Sequence, residues 1–119
     1  MKAARLTSPK HFEILETETP TAQDGQCLIK LERVSVCGSD IRHGFQVNPE
    51  EMYPMDFGTP CHELAGVVVE SRTDAFQEGQ RAIVIPQRGT GGLVEYIVSD
   101  PSRMILLPDE GPLDEWVMC

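Results

Sequence analysis

Several things are scarce in this chain, and each scarcity closes off a class of protein. No apolar run approaches the roughly 20 residues that a membrane span needs, so no transmembrane segment is expected. The opening MKAARLTSPKHFEIL has early basic residues but no continuous apolar stretch, which leaves no signal peptide to propose and a cytoplasmic reading. Basic residues are few: ten Lys and Arg against nineteen Asp and Glu give a net charge of -9. Such a surface repels a phosphate backbone, so nucleic acid is not an expected partner, and the acidity reads as an ordinary solvated surface. The four cysteines, Cys27, Cys37, Cys61 and Cys119, include no CxxC pair. Without a secretory context they predict no disulfide framework, and each reads first as a small buried hydrophobe. No phosphate-binding GxGxxG is present: the glycine cluster GTGG at 89–92 opens a strand-like run, not a helix, and reads as a turn. There is no internal repeat.

What the chain does contain is a series of short strand-like segments. A length of 119 residues predicts one domain, 1–119, with a modest core. FEILE and QCLIKLERVSV carry branched and apolar residues in partial alternation, with a turn at Gln23-Asp24-Gly25 before the second, and read as two antiparallel strands. LAGVVVES, QRAIVIP ended by Pro86, GGLVEYIVS, and SRMILLP closed by Pro108 add four more. Strands at intervals of about ten residues with little amphipathic helix between them predict a mainly β fold, a small barrel or sandwich. Helix is expected only as a turn over 39–45 and at the start of PLDEWVMC, where a Gly-Pro step and acidic first turn suit a helix N-terminus. Residues 46–60, QVNPEEMYPMDFGTP, hold three prolines and no periodicity and read as a loop, long enough to serve a substrate or partner surface.

Two stretches carry chemistry: VSVCGSDIRHGF at 34–45 and GTPCHELAGVVVE at 58–70. Zinc takes thiolate sulfur and imidazole nitrogen, and a catalytic zinc typically keeps one position open for water or substrate. Cys37 and His62 are candidates for two ligands. The plainer readings stand beside them: a buried strand cysteine and a surface His-Glu pair. Ser39 could pass on a proton, and Asp40 could accept the N–H of a ligand histidine and so set its tautomer. His43, with an ordinary pKa of about 6.5, suits proton transfer near neutral pH, but a solvated loop histidine would look the same. Glu63 reads either as a carboxylate beside a metal or as a surface charge. Cys61 reads as a buried small residue, and His11 as structural or solvent-exposed.

In this order and spacing, VSVCGSD, HELAGVVVE, EGQRAIVIP, GGLVEYIV and LLPDEGPLDE, with the opening MKA and the step near Pro20, resemble the N-terminal catalytic domain of the zinc-dependent medium-chain alcohol dehydrogenases. The resemblance runs along nearly the whole chain. It implies a GroES-like, partly open β-barrel with a few short helical turns. It also implies Cys37 and His62 as catalytic zinc ligands, Glu63 as an acidic residue at the metal, Asp40 behind His62, and Ser39 as the hydroxyl that hands on the substrate proton. The implied activity is oxidation of an alcohol, a polyol or sugar among the options, to a carbonyl with NAD or NADP.

The sequence departs from the family pattern in three places. Cys61 stands where the family has Gly before the ligand His. The family's relay histidine commonly stands at the position held here by Arg42, with His43 one residue further on, so His43 is the candidate for that role. Only QRGTG separates the segments between which many members carry a four-cysteine lobe, so no structural zinc is expected. By the same resemblance the third zinc ligand and the Rossmann domain that binds the nicotinamide cofactor lie beyond Cys119. The 119 residues therefore read as a catalytic-domain fragment, inactive as a dehydrogenase alone and holding zinc weakly or not at all. The face left exposed could drive homo-oligomerisation. The alternative is a free-standing GroES-like binding module whose Cys37 and His62 are vestigial.

Overall fold

A computed structural model describes residues 1–46 and 48–118, with His43 described by its backbone alone. Seven strands dominate: β1 (Lys2–Ser8), β2 (His11–Glu16), β3 (Cys27–Ser35), β4 (Glu63–Ser71), β5 (Arg81–Val84), β6 (Tyr96–Ser99) and β7 (Met104–Leu106). Two helical segments, α1 (Gly38–Asp40) and α2 (Leu113–Trp116), are a turn or so each. No helix among the described residues is long and apolar enough to cross a membrane.

The pairing is antiparallel throughout, with β1–β2 as one hairpin and β6-β3-β4-β5-β7 as a five-stranded sheet. The two runs read as antiparallel strands, β2 and β3, are not each other's partners. β2 pairs with β1, a strand whose Lys-Ala-Ala-Arg-Leu-Thr sequence carries little intrinsic β signal. Only Pro9 and Lys10 separate Ser8 from its partner His11, and Lys10 supplies the left-handed conformation (φ 61°) that so short a connection requires. Local closure therefore wins over a pairing across the longer 17–26 connection.

Hairpin and sheet are joined into a partly open barrel by the segment before β6. Ala4 N donates to Leu93 O at 2.7 Å, Glu95 N to Lys2 O at 3.1 Å, and Ala3 and Val94 form an isolated bridge. Leu31 N donates to Glu95 O at 2.9 Å, which continues the β3–β6 edge. Residues 91–95, expected as part of one strand with 96–99, thus serve as a crossing between two sheets. The 46–60 loop is tied down as well, Met55 N to Leu6 O at 3.0 Å and Gly58 N to Ala4 O at 2.9 Å.

The core explains why β4 reads as an almost continuous apolar run. Leu64 and Val68 face the barrel interior with Ile29, Val84, Ile97 and Met104, while Ala65 faces the other way under Leu107, Leu113 and Val117 of the α2 region. A strand covered on both faces shows no clean alternation. Gly66 is required by proximity: a Cβ there would lie 2.2 Å from Lys30 O. The same holds where the 46–60 loop meets the 87–92 turn, since Cβ atoms on Gly58 or Gly91 would each lie 2.2 Å from the other's carbonyl oxygen.

Candidate metal centre

β3 and β4 bring the two chemical segments together by register. Ser35 lies opposite Glu63 at the end of the pairing, so Cys37, just past one strand, and His62, just before the other, emerge side by side. Cys37 Sγ lies 3.6 Å from His62 Nε2, although 25 residues separate them in sequence.

Asp40 holds both. It is 1% exposed, its Oδ2 accepts the backbone N–H of Cys37 at 3.0 Å, and its Oδ1 lies 2.7 Å from His62 Nδ1. An ionised carboxylate only accepts, so in the neutral imidazole Nδ1 carries the hydrogen and Nε2 presents its lone pair on the side of Cys37. Ser39 Oγ lies 2.7 Å from Cys37 Sγ. The contact between Asp40 and the Cys37 amide is not foreseen from the chemistry of the motif. Its signal is positional: an acidic residue three places after the residue preceding a helix reaches back to that residue's N–H. α1 and the wider turn Ile41–Phe45 form one element, and Gly44 packs where a Cβ would collide with the Pro60 ring at 2.2 Å. That contact seats the turn against the residues leading into His62.

The potential ligand atoms of Cys37, Asp40 and His62 all lie within 4.8 Å of one another. Glu63 is outside that group, and its carboxylate makes no hydrogen bond or ion pair with another described residue. Its charge is felt by Cys61. That thiol is fully buried, and burial, followed by the negative charges of Asp40, Cys37 and Glu63, pushes its pKa up to about 11. His43 has its backbone in the Ile41–Phe45 turn, and its side chain, which carries the proposed relay role, lies outside the described residues. His11 is exposed and lies 3.9 Å from Glu13, away from the cluster.

The chemistry of the donor pair fits a tetrahedral metal. For Zn–S of about 2.3 Å and Zn–N of about 2.05 Å, two adjacent ligand atoms of a tetrahedron stand about 3.6 Å apart. The observed Sγ···Nε2 separation is 3.6 Å. Asp40 completes a carboxylate–histidine arrangement that leaves the metal-facing nitrogen bare.

Comparison with known proteins identifies the family and the fold. The family model described as alcohol dehydrogenase GroES-like domain matches residues 23–109. The chain is 36% identical over 89 residues, 72% of its length, to a zinc-type alcohol dehydrogenase-like protein of Haemophilus influenzae, of which this covers 25%. It is 38% identical over 88 residues, 70% of its length, to the zinc-type alcohol dehydrogenase-like protein YdjJ of Escherichia coli, again covering 25% of that protein. Among solved structures it resembles 2R,3R-butanediol dehydrogenase from Bacillus subtilis, with a TM-score of 0.77 and 26% identity over 98% of this chain and 43% of that one. The chain spans about a quarter of the length of these curated relatives.

Proposed function

Because this chain belongs to the alcohol dehydrogenase GroES-like domain family, we propose that it is the catalytic-domain part of a zinc-dependent dehydrogenase that oxidises an alcohol to a carbonyl with NAD or NADP. The observation that carries the reading is the 3.6 Å Cys37–His62 pair with His62 Nδ1 held by buried Asp40. Cys37 Sγ and His62 Nε2 would hold the zinc. Bound there, zinc would supply the Lewis acidity that lowers the pKa of a substrate hydroxyl, and a nicotinamide cofactor would be the hydride acceptor.

The chain's own residues then divide the work. Asp40 is a positioning residue: it fixes the His62 tautomer and ties the Cys37 backbone to the same carboxylate. Ser39, with its Oγ beside Cys37 Sγ, takes the proton released by the substrate hydroxyl, and His43 passes it on to solvent. Glu63 adds a negative charge near the metal. The likeness to a butanediol dehydrogenase supports a diol or polyol as the substrate class. As in the family, the third zinc ligand and the cofactor would come from outside these 119 residues.

The test is metal content, by mass spectrometry, of the protein expressed from its full reading frame, beside Cys37→Ser. One zinc per chain at this site, lost in the variant, is the expected result. No zinc, or zinc retained by Cys37→Ser, would remove the assignment.

A further inference from the structure

On a different part of the surface a cleft of about 400 Å³ opens between the 46–60 loop, the 87–91 turn and β6. None of Cys37, Ser39, Asp40 or His62 lines it. Its walls are apolar, with Pro20, Val94, Ile97 and Val98 among them, and two aromatic rings, Phe57 and Tyr96, border the same space.

The polar groups along the cleft are nearly all committed elsewhere. Gln26 Nε2 and Gln87 Nε2 both donate to the Asp100 carboxylate, at 3.1 and 2.8 Å, and Thr90 Oγ1 donates to Gln87 O at 2.8 Å. The Met1 ammonium donates to Thr17 O at 2.6 Å. Asp56 is the one charged side chain in the lining, and its carboxylate makes no hydrogen bond or ion pair with another described residue. It is exposed and stands beside the 87–91 turn, where a Cβ on Gly89 would lie 3.5 Å from its Oδ2. Phe57 already takes the Arg5 guanidinium at 4.9 Å from its ring centroid, and Arg5 itself does not line the cleft.

We propose that this cleft binds a small organic ammonium ion. Aromatic rings attract a cation through their negative faces, and a weakly hydrated alkylated ammonium loses little on leaving water. Apolar walls take its alkyl groups, the free Asp56 carboxylate takes its charge, and the net charge of -9 raises the local concentration of cations. A neutral ligand of the same shape would gain nothing from the Asp56 charge. The site is independent of the metal centre in position and chemistry.

The test uses the zinc-free chain, held with a chelator, so that the metal assignment has no part in the outcome. Choline is titrated into isotope-labelled protein, in parallel with its neutral isostere, in which a quaternary carbon replaces the ammonium nitrogen. Saturable amide shifts at Phe57, Thr90 and Tyr96 are expected, with choline binding about fivefold more tightly than the isostere, as one exposed charge pair allows. Asp56→Asn, a near-isosteric change at an exposed position, should abolish that preference and leave the spectrum otherwise unchanged. Equal binding of the two ligands, no saturable shift, shifts centred on Cys37 and His62, or a preference that survives Asp56→Asn would each overturn the proposal.

Discussion

His62 presents its Nε2 toward Cys37 because Asp40, 2.7 Å from its Nδ1, fixes which nitrogen carries the hydrogen. One buried carboxylate thereby sets both the tautomer and the ring direction. Asp40→Asn can offer an amide N–H where His62 needs an acceptor. Zinc affinity, measured by competition with a chromophoric chelator, should fall by about 10–100-fold, and Cys37→Ser, which removes a proposed ligand, should lower it further. An affinity unchanged in Asp40→Asn would show that the carboxylate does not position the histidine.

The described thiols should separate by reactivity. Cys37 is half-buried, whereas Cys27 and Cys61 are fully buried. Burial also pushes the Cys61 pKa up to about 11, so at pH 8 about one molecule in a thousand would carry the thiolate that an alkylating agent attacks. A raised pKa means that protection is complete at neutral pH and is lost as pH rises through the folded value. In the metal-free protein, peptide mapping after iodoacetamide treatment at pH 8 should find Cys37 modified first, and Cys61 only on unfolding or above about pH 11. Rapid labelling of Cys61 at pH 8 would contradict its placement in the core.

Gly66→Ala should destabilise the fold by about 1–3 kcal/mol, because its new Cβ would sit 2.2 Å from the Lys30 carbonyl oxygen, a backbone atom held in the β3–β4 ladder. Gly38→Ala is the control, with nothing within 4 Å of the new atom. Urea titrations of the two variants should differ clearly in midpoint. Equal midpoints would mean that β3 and β4 do not approach as closely as described.

At α2, packing and charge should contribute unequally. Leu113 is buried against Ala65, Leu107 and Val117, and Leu113→Ala should cost about 2–4 kcal/mol. Arg33 and Asp114 form an ion pair between exposed side chains, and Asp114→Asn should cost less than about 1 kcal/mol. Thermal unfolding of both variants tests the ranking. A larger effect at Asp114 would reverse it.

Much of the strand content is legible in the chain because it rests on local preference. The runs at 27–35, 63–71, 81–84 and 104–106 are bounded by turns, and Asp24 and Gly25 form the expected turn with Gly25 at φ 85°. Lys2–Ser8 is not legible, because its strand state comes from a two-residue connection and from hydrogen bonds to residues 93 and 95, not from its own side chains. For the same reason GGLVEYIVS looks like one strand and is two things, a crossing and a strand.

The site divides along the same line. Residue type and order mark Cys37, Ser39, Asp40, His43, His62 and Glu63 as candidates, since thiol, hydroxyl, carboxylate and imidazole each have a recognisable chemistry, and the resemblance of the surrounding motifs, more than spacing, implies their roles. Only the tertiary structure decides that Cys37 and His62 stand 3.6 Å apart, because that distance follows from the register of β3 against β4. Register is set by which faces are buried and by where backbones approach at Gly66, and both depend on neighbours far away in sequence. Asp56 shows the same division: its charge is plain in the sequence, but its place in one cleft with Tyr96, forty residues on, exists only once the 46–60 loop is bound to β1.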